Sequence, residues 1–214
     1  TSIGPNLNMV ILQNIASIQL LPGSYGSEYG DQAVGGVLSV KTLNAHKKRL
    51  RYGLGAGNEM ALRGYYLKSG PISDHLGYVI GFAADRQDHQ PIDNQERNAH
   101  INAKLSFIGD KDQVTFGFLG YQSHIDLPRG QVIGQPFVSS ISTNHSTING
   151  VLTYLKDKHW FNPRWQWRTA LVANNSDTHG VVNIPFNSED LGILWHNQVT
   201  YQHWLTMGAN LGWD

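Results

Sequence analysis

The chain has no cysteine among its 214 residues, which excludes a disulfide scaffold and any thiolate-ligated metal centre. Charge is scarce as well. Sixteen Lys and Arg balance 16 Asp and Glu, and only 15% of residues are charged, against about a quarter in ordinary soluble domains. With neither a basic excess nor a basic stripe, nucleic acid is excluded as the main partner. Long apolar runs are missing too: stretches such as Tyr78–Ala84 stop far short of the roughly 18 residues a transmembrane helix needs. No basic segment followed by an apolar one opens the chain, and Gly208–Asp214 reads as a strand that stops without a turn, so both ends are expected to be cut. Glycine, by contrast, is abundant at 23 residues, about 11% against a usual 7%, and the lack of a Gly-X-Y period excludes collagen. A soluble β domain and a membrane β-barrel both remain open.

Residues 1–45 differ from the rest. Short apolar runs (Met9–Leu12, Ile15–Leu21) are broken by Pro22-Gly23, Gly26, Gly30 and Gly35-Gly36, and Val37–Thr42 then reads as a strand. This pattern predicts a compact mixed element that continues a domain begun before Thr1. From Lys47 onward strict alternation takes over. Between Arg97 and Ile108, Ile101, Ala103, Leu105 and Phe107 share one strand face, and His100, Asn102, Lys104 and Ser106 share the other. The turn sequence Gly109–Asp112 precedes Val114, Phe116 and Phe118, which predicts a hairpin.

The same reading predicts nine strands, near 48–57, 60–69, 76–86, 97–108, 113–122, 147–156, 164–174, 191–202 and 204–213. Their links alternate in length. Those at 57–59, 70–75, 109–112, 157–163 and around His203 are short, whereas those at 87–96, 123–146 and 175–190 are long. Tight turns at one end and extended loops at the other are the pattern of a membrane barrel. Tyr154, Trp165, Tyr201 and Trp204 fall beside the short turns, at the level where an aromatic belt meets lipid headgroups. A soluble sandwich would use the same rings as core, with more even turn spacing.

No motif carries chemistry. Gly53, Gly55 and Gly57 brush the dinucleotide fingerprint, but the strand-like Arg63–Tyr66 stands where that fingerprint needs a helix. They read better as a glycine stripe against which something packs closely. Ten histidines include no H-E-x-x-H pair, and His196 and His203, seven apart, fall on opposite strand faces, so no metal site is expected. No G-x-S-x-G elbow marks a nucleophile, and neither an enzyme nor a cofactor is predicted. The triplets Asn144-His145-Ser146 and Asn174-Asn175-Ser176 match glycosylation sequons by chance.

The stretch from Ile15 to Thr42 is specific. Ile15 and Ile18 lead to Pro22-Gly23, then to Tyr29-Gly30, Ala33, Gly35-Gly36-Val37 and Thr42. In order and spacing this resembles the C-terminal end of the plug domain of TonB-dependent outer-membrane receptors, with the usual Gly-Pro order inverted. Leu127-Pro128-Arg129-Gly130 is similar to an L-P-G element of members that take ferric siderophores or ferric citrate. The resemblance implies an all-β fold: residues 1–45 as the C-terminal part of a mixed plug domain, and 46–214 as the first nine or so strands of a large antiparallel transmembrane β-barrel. At about 19 residues per strand, the roughly 22 strands of a plugged transporter would need about 410 residues, so much of the barrel would lie beyond residue 214.

The function this implies is import of a metal chelate across the bacterial outer membrane, with a ferric siderophore first and cobalamin behind it. TonB would act through a segment not in this chain, and lipid would surround the barrel. Siderophore chelates are often anionic, so Arg86, Arg97 and Arg129 near the long links are the expected ligand contacts. Tyr29, Gly30, Gly35 and Gly36 carry the plug motif. A passive porin or adhesin barrel would explain the alternation but not the Ile15–Thr42 element, and a soluble carbohydrate- or protein-binding domain would not explain the loop asymmetry.

Overall fold

The computed structural model describes residues 11–23, 36–89, 94–126, 145–182, 184–202 and 205–213. Eleven strands account for most of them. A 3-10 turn at Leu12–Asn14 leads into β1 (Ile15–Pro22), which pairs antiparallel with β2 (Gly36–Thr42) in a small sheet of its own. Nine further strands form one antiparallel meander: β3 (Arg49–Ala56), β4 (Leu62–Pro71), β5 (Leu76–His89), β6 (Asn94–Ile108), β7 (Asp112–Asp126), β8 (His145–Asn162), β9 (Trp165–Val182), β10 (Ile184–Tyr201) and β11 (Leu205–Trp213). Each strand pairs with its sequence neighbours, so β3 and β11 are the edges of an open sheet.

Alternation puts a polar set on one face and an apolar set on the other. We call inner the face on which residues 42–46 pack. Across β6, β7 and β8, Asn102, Leu119 and Leu152 stand in one inner row, and Ser106, Thr115 and Lys156 in another. The outer rows carry Leu54, Phe82, Ile101, Leu105, Phe116, Leu155, Leu171 and Trp195, all of them exposed. A register slip of one residue on any strand would exchange the two sets, so the segregation itself pins the register.

The hairpin of β9 and β10 corrects the expectation of a long link at 175–190. The ladder is continuous from Tyr201↔Trp165 to Ile184↔Val182, leaving only residue 183 between the strands. The extension Asn175–His179 is polar on both faces. Periodicity detects a strand by its apolar face, so a strand that runs on past the apolar band resembles a loop in sequence. The same effect lengthens β5, β6 and β8 at this end.

Side-chain volume is balanced across the ladder rather than within a core. Tyr154 does not join the aromatic belt expected beside the short turns: it stands on the inner face, well inside β8, opposite Gly117 of β7, and Tyr121 faces Gly150 four residues on; a Cβ on either glycine would sit 2.0 Å from the opposing ring. Each ring thus covers a backbone with no side chain of its own. Gly53 is covered in the same way by Tyr65, whereas nothing lies within 4 Å of a Cβ on Gly55. The close approach expected at the Gly53–Gly57 stripe is thus met at Gly53, and a backbone approach occurs at Gly77, where a Cβ would lie 2.6 Å from the Ala45 carbonyl oxygen. There the chain leaving β2 crosses the inner face, and Leu43 and Ala45 bury Leu67 and Val79 beneath them.

Gly77→Ala should therefore destabilise the protein by about 1–3 kcal/mol, because backbone has to move to admit the methyl group. Gly55→Ala, with open space around it, should change stability by less than about 0.5 kcal/mol. Equilibrium urea unfolding of the full-length protein in lipid vesicles measures both.

Candidate functional site

Alternation alone makes the inner face a surface of donors and acceptors. Its centre of organisation is Lys104 of β6, whose ammonium donates to Thr42 Oγ1 at 2.8 Å and to the Leu43 carbonyl. Around it the crossing segment is tied at other points. The Leu43 amide donates to the Asn14 carbonyl at 2.8 Å, Ser69 donates to the Lys47 carbonyl at 2.8 Å, and His46 Nε2 lies 3.1 Å from the Ser106 carbonyl oxygen. Further up the face, Arg51 donates to the Gln13 carbonyl at 2.9 Å and so holds the 3-10 turn to β3.

Between that turn and the inner face lies a cavity of about 270 Å³, bordered by Ile11–Gln13, Arg63, Tyr65, Asp85, Asn98 and His100. Asn98 donates to Asp85 Oδ2 at 3.0 Å and to Glu96 Oε1 at 2.8 Å. Its own Oδ1 and His100 Nδ1 are buried without a hydrogen-bond partner, and the same holds for both polar atoms of the Asn102 amide and for Ser123 Oγ. These residues occupy neighbouring inner positions of β6 and β7. Unsatisfied groups cost about 1–3 kcal/mol each when left dry, so the strip is built to be wetted or to meet a polar solute.

Of the residues expected to contact a ligand, Arg86 and Arg97 are brought directly opposite each other on β5 and β6. They sit on the outer face, at the far end from the short turns. Arg86 grips Asp88 with both its Nε and a terminal nitrogen at 3.3 Å, Gln95 Nε2 donates to Asp88 Oδ1 at 2.6 Å, and Arg97 Nε donates to Gln95 Oε1 at 2.5 Å. The four side chains form one hydrogen-bonded chain beyond the apolar rows. Arg129, Tyr29, Gly30 and Gly35 lie outside the described residues. Gly36 opens β2 at φ +145°, with a would-be Cβ 2.9 Å from the Leu21 carbonyl oxygen, so the position requires glycine.

Sequence reasoning missed Asn98 and the cations Lys156, Lys158 and Arg168 as inner-face groups. Strand parity carries that signal, once the register of one hairpin is fixed. Among the described residues, no three His, Asp or Glu side chains are grouped to hold a metal ion, and no helix is long and apolar enough to cross a membrane. On the outer face His124 lies 2.8 Å from Thr147 Oγ1 through Nδ1 and 3.2 Å from Asp126 Oδ1 through Nε2.

The chain matches no protein-family model and no curated protein sequence. Solved structures do match. The siderophore receptor PiuA from Acinetobacter baumannii superposes with a TM-score of 0.76 at 11% identity, over 93% of this chain and 35% of that one. FpvA of P. aeruginosa, bound to a heterologous pyoverdine with iron, superposes with a TM-score of 0.62 at 15% identity, over 91% of this chain and 31% of that one. The chain thus spans about a third of the length of the solved structures it matches. At these identities the likeness is one of fold: the open antiparallel sheet matches part of the β-barrel of those structures.

The contacts of Lys104 yield a local prediction. Lys104→Met keeps the side-chain length but removes both donors, and should cost about 1.5–3 kcal/mol. Hydrogen exchange at the Leu43 amide should quicken in the variant while amides in the middle of β8 stay protected.

Proposed function

We propose that this chain is part of a TonB-dependent receptor that imports an anionic metal chelate, with a ferric siderophore as the favoured class, through the bacterial outer membrane. The observation that carries the reading is the two-faced sheet. Along the middle of the nine paired strands one face exposes leucine, isoleucine, phenylalanine and tryptophan, and the other carries His100, Asn102, Lys104, Lys156 and Arg168. Soluble proteins rarely expose contiguous apolar patches beyond a few hundred Å², and an outer face of this composition is what a bilayer stabilises. The likeness in fold to two siderophore receptors and the Ile15–Thr42 pattern support the transport role.

In this reading residues 1–45 end a plug that stands inside the barrel, and the β1–β2 pair with its crossing segment is the plug's hold on the wall. TonB would pull on a segment that precedes Thr1. The chelate binds at the end of the barrel where β5, β6, β7 and β8 extend past the apolar band. Arg129 in the 127–144 link is the favoured contact, while Arg86 and Arg97, capped by Asp88 and Gln95 on the outer face, serve the rim. No bond is made or broken. Capture is by charge-assisted hydrogen bonds, and passage follows the wetted strip of Asn98, His100, Asn102 and Ser123.

Two measurements test this. Phe116→Arg, on the outer face, should destabilise the membrane-inserted protein by about 2–4 kcal/mol, and Thr115→Arg, on the inner face, by much less. Equal losses would remove the bilayer from the argument. For transport, cells given a ferric siderophore as sole iron source should stop growing when the full gene is deleted, and Arg129→Ala should weaken chelate binding by about 1–3 kcal/mol. Growth unchanged across a panel of ferric chelates, with surface expression of the wild type verified, would overturn the import role.

A further inference from the structure

We propose that the inner face at the short-turn end of β8–β10 is an oxyanion site. Lys156, Lys158 and Arg168 form it, and it takes a small, multiply charged phosphate or carboxylate anion. It deepens the transport reading, since it rests on the inner face bounding the path of an anionic solute. Lys158 and Arg168 are direct cross-strand partners, and Lys156 lies two residues from Lys158 on the same face. Like charges placed directly opposite each other on a ladder are destabilising, so such a pair needs a counter-charge. Together with Gln113, Thr115 and Gln198, the three cations border a cavity of about 390 Å³.

Neighbouring side chains position the cations without neutralising them. The Lys158 ammonium sits 4.4 Å from the centre of the Trp160 ring, and that of Lys156 sits 4.8 Å from the centre of the Tyr154 ring. An aromatic face attracts a cation but accepts none of its three N–H bonds in the way an oxygen does. Arg168 donates through Nε to Gln166 Oε1 at 2.7 Å, an orientation that leaves the guanidinium edge opposite Nε to a ligand.

No described carboxylate shares this end of the inner face. Asp112, Asp126, Asp177 and Glu189 alternate to the outer face, and Asp190 stands at the far end of β10 beside Ser176. Asp157, between the two lysines in sequence, also borders the cavity; alternation directs its side chain to the outer face, where Oδ1 is buried without a hydrogen-bond partner. Three cations, amide and hydroxyl groups, and a surface that alternation keeps hydrophilic are the chemistry that recognises a multiply charged oxyanion. The site lies at the opposite end of the strands from Arg86 and Arg97. An anionic solute released from the outer end would meet it last.

The test uses the purified full-length protein in detergent, melted with sodium phosphate, sodium citrate or sodium chloride at matched ionic strength. Phosphate and citrate should raise the melting temperature above the chloride control. Calorimetric affinity for citrate should fall about tenfold in Lys158→Gln and in Arg168→Gln, and stay near wild type in Arg168→Lys. In chloride alone, Lys158→Gln should melt at or above wild type because a repulsion has been relieved. Two results would overturn the site: wild type showing no shift specific to phosphate or citrate, or Lys158→Gln melting lower in chloride, which would mean that the chain supplies its own counter-charge. The readout is independent of uptake. A protein that binds citrate yet supports no growth on chelates would keep the site and lose the transport reading.

Discussion

The two-residue side-chain period of a paired strand is the constraint on which the rest of this molecule depends. Every strand from β3 to β11 is hydrogen-bonded to its sequence neighbours, so one parity sets the faces of all nine. Leu54, Phe116 and Leu171 go outward only because Gly53, Thr115 and Ala170 go inward. An antiparallel meander transmits this choice from hairpin to hairpin, with a single shift near the β8–β9 turn, between Trp160 and Asn162. The result is a sheet whose two surfaces suit different solvents.

A polar inner face cannot form a dry core, and the structure deals with this in two ways. Where the chain crosses after β2, Leu43 and Ala45 seal Leu67 and Val79, the Lys104 ammonium satisfies a backbone carbonyl, and Gly77 leaves room for the crossing backbone. This patch is small and specific, a dock rather than a hydrophobic core. Elsewhere the face keeps orphaned acceptors and donors on Asn98, His100, Asn102 and Ser123, a condition stable only in contact with water or a polar solute. Dock and polar strip lie side by side on the inner face.

Charge is distributed by the same rule. Asp85 and Glu96 crowd the inner face near Asn98, and Arg86 and Arg97 stand one residue away on the outer face, held by Asp88 and Gln95. Lys156, Lys158 and Arg168 occupy the inner face at the other end. A formally neutral chain therefore carries strong local fields, which net charge conceals. A one-residue offset decides whether an arginine stands on the inner or the outer face of the sheet.

Alternation in the sequence was enough to predict nine antiparallel strands and the polar set His100, Asn102, Lys104 and Ser106, because a repeat of two is a local property of each strand. Where the alternation becomes polar on both sides, at Asn175–His179, it reads as a loop, since periodicity registers only an apolar face. Register between strands was not legible, and register alone makes Lys158 face Arg168, puts Tyr154 over Gly117 and sets Arg86 against Arg97. Nor was the docking point. Gly77 looks like any strand glycine until the Ala45 carbonyl is seen to lie against it. Sequence determined which residues could share a face, because that follows from the geometry of one extended chain. Only the tertiary structure decided which of them meet, because contacts across strands depend on hydrogen-bond registers that no single strand encodes.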